Sequence, residues 1–303
     1  MTLTRRHEGF ADLHVSGCFV LPNPWDAGSA RMMAAMGAKA LATSSAAHAF
    51  TLGRPDMGSV SRDEALAHAE AILAATSLPV SGDFENGFAD DPDGVAQTVR
   101  LAGGVGLSGC SIEDTQMAGG TPAYPFEQAV ERIRAAVAAA RALKRPFMLC
   151  ARADGVMNGT YDLAEGIHRL LAFEAVGADV LYLPVPPGRA ELQAVLSAVK
   201  KPVNALAAGP LRALTVAELA AMGVRRISTG SQIARVTHAA IRDAVAAMLG
   251  PGSFVPLMQA AGGDEIDALL RRGADPWGGP GASPRTPGVF EPKRNTNEAG
   301  DDK

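Results

Sequence analysis

The strongest constraint on this chain is an alternation. Short β-like apolar runs are followed by Ala-rich helical segments, and the pair repeats eight times almost from end to end. The strand candidates are "CFVLP" (18–22), "KALATS" (39–44), "LPVSGDF" (78–84), "GLSGCSIE" (106–113), "FMLCARA" (147–153), "DVLYLP" (179–184), "PVNAL" (202–206) and "VRRIST" (224–229). Several of the helices carry start signals. Asp26 precedes "AGSARMMAAMG", while Ser61 with Glu64 and Thr215 with Glu218 have the spacing of a capping box.

Eight such rounds fit a TIM (β/α)8 barrel better than a doubly wound sheet, because no G-x-G-x-x-G opens the first helix. The expected layout is a catalytic barrel over 1–250, a helical extension over 251–274, and a disordered tail over 275–303, where Pro, Gly and charge dominate. In such a barrel, polar residues at the carboxyl ends of the strands are the candidate chemistry.

Composition removes several function classes. The 28 basic and 32 acidic residues are interspersed and leave a net charge of −4, with no basic stripe to track nucleic acid. Three cysteines without a CxxC pair argue against a disulfide framework or a structural zinc and for a reducing compartment. The longest charge-free run, 244–263, is broken by Gly250, Pro251, Gly252 and Pro256, so it does not make the ~20-residue apolar helix of a membrane span. A cytoplasmic enzyme acting on a small molecule is the expectation.

Set side by side, the strand ends carry Asn23 and Asp26, then Thr43, Ser44 and Ser45, Asp83 and Glu85, Glu113 and Asp114, Arg152 and Asp154, Asn204, and Ser228 to Ser231. Asp83 and Glu85 are two apart, as are Ser111 and Glu113, which on a strand directs each pair to one face. Converging carboxylates repel unless a cation sits among them, and a hard divalent ion that keeps part of its water, Mg²⁺ first and Mn²⁺ second, answers that. The competing explanation is that such acids cap the following helices. Asp114 reads better as structural, whereas Glu113 closes an apolar strand and is poorly placed to cap. Arg152, inside an apolar run, needs an anion, either a substrate carboxylate or a structural partner such as Glu113 or Asp154.

Three further features are weaker. The turn "TSSAA" offers backbone N–H groups and hydroxyls to an anion, with His48 close behind as a packed or loop histidine. "GRPDMG" (53–58) is a tight turn that returns Asp56 towards the carboxylates. The long connection "DTQMAGGTPAYPFEQA" after Glu113 has the length of a lid, and Tyr124 in it carries a dissociable proton or else packs at its base.

Taken together, "NPWDAGSA", "TSSAA", "GRPDMG", "GDFENGF", "CSIEDT", "ARADG" and "PVNAL" resemble, in order and spacing, the isocitrate lyase and phosphoenolpyruvate mutase superfamily, over about residues 10–250. The resemblance implies a TIM barrel, usually tetrameric with its last barrel helix exchanged between subunits. It also implies Mg²⁺, 2-oxo or 2-hydroxy acid substrates, and bond cleavage through an enolpyruvate-like anion. Carried across, it makes Asp83, Glu85, Glu113 and Asp56 the metal-site acids and Thr43, Ser44 and Ser45 the holders of the substrate carboxylate. Arg152 becomes an anion clamp and Asn204 a substrate contact; the catalytic candidates are Arg152, Glu113 and, from the loop reading and not from the resemblance, Tyr124. Gly82 and Gly87 then read as clearance around the ion.

Two departures narrow the reaction. Glu85 stands where the family often has a second Asp, a mild change. The lid "TQMAGGTPAYP" lacks the Lys-Lys/Arg-Cys-Gly-His motif that resembling isocitrate and methylisocitrate lyases carry, and it lacks the Lys and Asn of the mutase and phosphonopyruvate hydrolase branches. The expected function is a Mg²⁺-dependent carbon–carbon lyase or decarboxylase acting on a small 2-oxo or 2-hydroxy dicarboxylate through an enolpyruvate-like intermediate, oxaloacetate decarboxylase-like or methylisocitrate lyase-like. The alternatives are a C–P bond enzyme of the phosphonopyruvate hydrolase or phosphonomutase type and an acid-binding barrel without turnover.

Overall fold

The structure, a computed structural model, describes residues 3–117 and 119–274. All eight strands form inside their predicted runs: β1 (Phe19–Leu21), β2 (Leu41–Ala42), β3 (Val80–Asp83), β4 (Gly109–Glu113), β5 (Met148–Arg152), β6 (Val180–Tyr182), β7 (Val203–Leu206) and β8 (Arg226–Ser228). They make one parallel sheet in the order β1-β8-β7-β6-β5-β4-β3-β2. The Ala42 N–H donates to the Pro22 carbonyl at 3.1 Å, joining the end of β1 to β2, so the sheet curls into a nearly closed barrel.

Helix α1 (Leu3–Asp12) precedes β1. The outer ring follows as α2 (Ala27–Ala35), α3 (Ser45–Thr51), α4 (Arg62–Ala75), α5 (Pro92–Gly104), α6 (Phe126–Ala142), α7 (Gly155–Asn158), α8 (Leu163–Ala175), α9 (Arg189–Ala198), α10 (Val216–Met222) and α11 (Gln232–Leu249). The expected caps are present. Asp26 accepts from the Ser29 N–H at 2.6 Å, and the boxes Ser61/Glu64 and Thr215/Glu218 close reciprocally. The extension is a short 3-10 turn (Val255–Gln259) followed by α12 (Gly263–Ala274), which lies against α2 so closely that a Cβ at Gly273 would collide with the Arg31 backbone. The tail expected over 275–303 lies outside the described residues. Among the described residues no helix is long and apolar enough to cross a membrane.

Strand parity separates core from site. Cys110 and Ile112 of β4 and Leu149 and Ala151 of β5 point outward and join the buried cluster built with Leu66, Ile72, Val95, Val99 and Ile133 of the surrounding helices. Residues of the opposite parity, Ser111, Glu113, Cys150 and Arg152, face the barrel interior. Cys110 is thus a small core residue and Cys150 a barrel-interior residue that does not line the cavity, both fully buried.

Candidate active site

The strand register lays a polar row round the barrel interior. Glu113 on β4 is opposite Arg152 on β5, Arg152 opposite Tyr182 on β6, Tyr182 opposite Asn204 on β7, and Asn204 opposite Arg226 on β8. All five help to line a cavity of about 450 Å³, with Asn23, Thr43, Ser44, Ser45, Asp56, Asp83, Glu85 and Ser111 on the remaining wall. The residues singled out at the strand ends therefore converge on one place.

Arg152 is the electrostatic centre of this wall. Its guanidinium grips Asp154 with two donors, at 3.1 and 2.5 Å, and also reaches Asp83 Oδ1 and Glu113 Oε2, each at 2.9 Å. Burial works against its charge, yet Asp154, Glu113 and Asp83 together hold its pKa well above the ordinary arginine value. Arg152 is thus already paired to three protein carboxylates, the structural partnership weighed in the sequence being realised in full.

Asp83 is equally engaged. Its Oδ1 accepts from Arg152 and from the Ser111 hydroxyl (3.0 Å), and its Oδ2 accepts from the Ser45 N–H and hydroxyl, both at 3.0 Å. The "TSSAA" turn thereby contacts a protein carboxylate. Thr43 supports the same residue by accepting from the Asp83 N–H at 2.8 Å, and Ser44 caps α3. Asn204 donates to the Ser228 hydroxyl and accepts from Arg226.

Glu85 departs from the simple strand argument. β3 ends at Asp83, and Glu85 sits in the following turn at φ +45°, a left-handed conformation uncommon for a side-chain-bearing residue and costing about 1 kcal/mol or more. A turn, not strand periodicity, aims its carboxylate, while its carbonyl accepts from the Glu113 N–H at 2.9 Å. The two glycines of this stretch also need correction. A Cβ on Gly82 would meet the Phe84 ring and Leu107, and one on Gly87 would meet Val95 and Ile112, so both make room for the helix-side core and not for an ion. Gly87 additionally takes φ +83°.

Tyr124 is the expectation the geometry opposes. It is outside the cavity wall, buried at the base of the loop after β4, with its hydroxyl donating to Asp90 and accepting from Asn86. The Arg132 guanidinium lies 3.8 Å from its ring centroid. Asp114 is structural, as expected, accepting from the Asp154 N–H, the Tyr161 hydroxyl and Arg169. His48 packs face to face on His68, 3.9 Å between centroids.

With this geometry in view, the comparisons decide the family. A profile described as phosphoenolpyruvate phosphomutase matches residues 10–249. The chain belongs to that family. It is an enzyme of the isocitrate lyase and phosphoenolpyruvate mutase superfamily, as the motifs suggested. Among similar structures, a candidate lyase/mutase from Burkholderia cenocepacia J2315 is 44% identical with a TM-score of 0.85, over 93% of this chain and 99% of that one. Oxaloacetate acetylhydrolase in complex with 3,3-difluorooxalacetate is 26% identical with a TM-score of 0.77, over 88% and 93%. An oxaloacetate decarboxylase of Paraburkholderia xenovorans (strain LB400) is 30% identical over 271 residues, 84% of this chain and 89% of that protein.

Members of this superfamily are generally divalent-metal dependent, and the acids of the cavity wall are the groups that could hold such an ion. Among the described residues, three buried carboxylate oxygens have no hydrogen-bond partner: Asp56 Oδ1, Glu85 Oε2 and Glu113 Oε1. Burial pushes the Glu85 carboxyl up to about 7 against one N–H from Gly58, with Asp83 and Asp56 adding to the rise. Burial also raises Asp56 and, despite Arg152, Glu113. Such oxygens lack what a cation supplies. Among the described residues, however, no three acidic, His or Cys side chains are gathered into a ready-made ligand shell. The donor set fits a hard ion that keeps several waters and takes few direct protein oxygens.

Two residues of the polar row escaped the sequence reading. Tyr182 is buried beside Arg152, whose guanidinium carbon is 5.1 Å from its ring centroid. Arg226 interrupts the apolar run "VRRIST" as Arg152 interrupts "FMLCARA", so the argument applied to one arginine would have found the other.

Proposed function

We propose that this enzyme is a Mg²⁺-dependent carbon–carbon lyase acting on a small 2-oxo dicarboxylate, with oxaloacetate decarboxylation as its reaction. One observation carries this reading: among the described residues, the cavity wall holds carboxylates, arginines and hydroxyls but no cysteine, lysine or histidine. Cleavage that expels a carbanion needs an acid at the departing carbon. Loss of CO₂ does not. The C3–C4 bond breaks, its electron pair moves into the C2 carbonyl to form the enolate of pyruvate, and the only proton required is the one C3 collects on the way to pyruvate.

Asp56, Glu85 and Glu113 would hold the ion, with Asp83 behind them. When bound, Mg²⁺ acts as a Lewis acid towards the 2-oxo acid and stabilises enolate charge. Arg152 fixes Asp83, Glu113 and Asp154 in place, and its guanidinium, on the cavity wall, would offset negative charge that develops on a bound 2-oxo acid. Ser44 and Ser45 at the start of α3, with Asn204 opposite, orient the acid. The oxaloacetate decarboxylase among the relatives supports the choice of substrate. A cytoplasmic tetramer is part of the same proposal, by analogy with the superfamily.

The family's phosphoenolpyruvate phosphomutase description favours one second reading, C–P cleavage of a phosphonate such as phosphonopyruvate. A screen of 2-oxo, 2-hydroxy and phosphono acids with Mg²⁺ separates the cases. Pyruvate with CO₂ from oxaloacetate supports the first reading, and phosphate from phosphonopyruvate supports the second. Mg²⁺ binding without turnover of any acid leaves an acid-binding barrel and removes both.

A further inference from the structure

Among the described residues, Arg226 is a buried cation without an anionic partner. It is only 4% exposed, its Nε donates to the Asn204 side-chain oxygen at 2.7 Å, and its Nη2 lies 3.0 Å from the Cys150 sulfur. Both partners are neutral, and the Nη1 group, also buried, has no partner at all. Among the described residues no carboxylate lies within ion-pair distance of it. Burying a guanidinium among neutral groups is unfavourable unless an anion completes the site. Arg169 is satisfied by Asp114 and Glu165, and Arg132, buried without a carboxylate, donates to the Glu113, Asn86 and Ala89 carbonyls and lies off the cavity wall, whereas Arg226 lines it.

Position gives this cation a use. Arg226 forms part of the cavity wall and ends the polar row that begins at Glu113 and Arg152, three strands further round the barrel. The wall therefore has two unlike sides. One bears the carboxylates that suit an ion chelated by a 2-oxo acid, and the other bears arginines, of which Arg212 and Arg235 are exposed and Arg226 is buried, its planar donor suited to a carboxylate. A molecule that spans them has an α-oxo acid at one end and a second anionic group at the other.

Resting on the proposed 2-oxo acid chemistry, we infer that the Arg226 guanidinium receives the distal carboxylate of the substrate and makes this enzyme select dicarboxylates over monocarboxylates. For oxaloacetate the distal group is the one lost as CO₂. A cation on that group stabilises the bound ground state at least as well as the transition state, so Arg226 is a specificity residue and not a source of rate.

The test measures binding, with Mg²⁺ present, of 3,3-difluorooxaloacetate and of 2-oxobutyrate, which keeps the 2-oxo acid but has a methyl group in place of the distal carboxylate. Wild type is expected to prefer the dicarboxylate at least tenfold. Arg226→Gln should erase that preference, weakening the dicarboxylate tenfold or more while 2-oxobutyrate stays within twofold, and Arg226→Lys should recover part of it. With oxaloacetate as substrate, Arg226→Gln should raise KM with kcat held or increased, a split that loosening of the barrel would not produce. Equal loss of both ligands in both variants, an unchanged preference, or a wild type indifferent to the distal group each overturns the inference. Wild type preference is read without any variant, so a poorly folded Arg226→Gln does not shield the claim. If oxaloacetate turns over and the preference survives Arg226→Gln, this inference alone fails. If wild type binds neither acid, the proposed function fails with it.

Discussion

Glu113 and Arg152 stand opposite each other on β4 and β5, with Arg152 Nη2 2.9 Å from Glu113 Oε2, and the same guanidinium holds Asp83 and Asp154. One cation thus restrains three carboxylates, of which Glu113 and Asp154 are buried and Asp83 is partly buried. Arg152→Met should leave them uncompensated and cost roughly 3–5 kcal/mol of unfolding free energy, because removing one partner of a buried ion pair strands the others. Urea denaturation checks this. A loss below about 1 kcal/mol would mean that the acids are neutralised some other way.

The orphaned oxygens of Asp56, Glu85 and Glu113 give a second expectation. Mg²⁺ should raise the thermal midpoint of the wild type, since an ion that binds only the folded state at a hundred times its Kd adds about 2.7 kcal/mol. Glu85→Gln removes a buried charge, so its metal-free form should be at least as stable as wild type while the Mg²⁺ response shrinks. A full Mg²⁺ shift in Glu85→Gln excludes that oxygen from the ion's site.

Tyr124 yields the reverse of what the lid motif suggests. Its hydroxyl bonds only to Asp90 and Asn86 and lies off the cavity wall, so Tyr124→Phe should lower stability by about 1–2 kcal/mol and leave kcat within a few fold. A drop in kcat of a hundredfold or more, with stability intact, would restore it to the chemistry.

How legible the site was in the sequence depends on the scale of the structural cause. Strand-end position followed from periodicity, and Glu113, Arg152, Asp83 and Asn204 meet in one cavity because barrel topology brings the strand ends together. Glu85 was named for the wrong reason, since a left-handed turn aims it and strand alternation does not. The pairing of Arg152 with three acids, and of Ser45 with Asp83, depends on side-chain geometry across strands that spacing along the chain does not encode. Tyr124 misled because a long loop was read as a lid, whereas the Thr115–Ala123 bridge and the Tyr124 N–H bond to Asp114 tie its two ends to each other.

Acid should destabilise the fold through the floor of the barrel. Burial first, then the charge of Arg226, push the His14 imidazole from the ordinary 6.5 down to about 3, against the raising effect of the Phe10 carbonyl and with a smaller push from Arg225. The unfolded chain takes up this proton below about 6.5 and the folded protein does not until about 3. Stability is therefore full above 6.5 and falls as pH drops across that window, by roughly 2 kcal/mol between pH 7 and pH 5 from His14 alone. Urea titrations at the two pH values check this, and His14→Leu should flatten the slope.

The central claim is that this wall of acids and arginine, once it holds Mg²⁺, releases CO₂ from oxaloacetate. The most direct measurement follows CO₂ and pyruvate together from oxaloacetate with purified enzyme and Mg²⁺, against Mg²⁺ alone and against Glu113→Ala. Equal amounts of both products, formed well above the Mg²⁺ blank and lost with EDTA and in Glu113→Ala, are the result expected. A wild type rate equal to the blank, or one that Glu113→Ala retains, contradicts it.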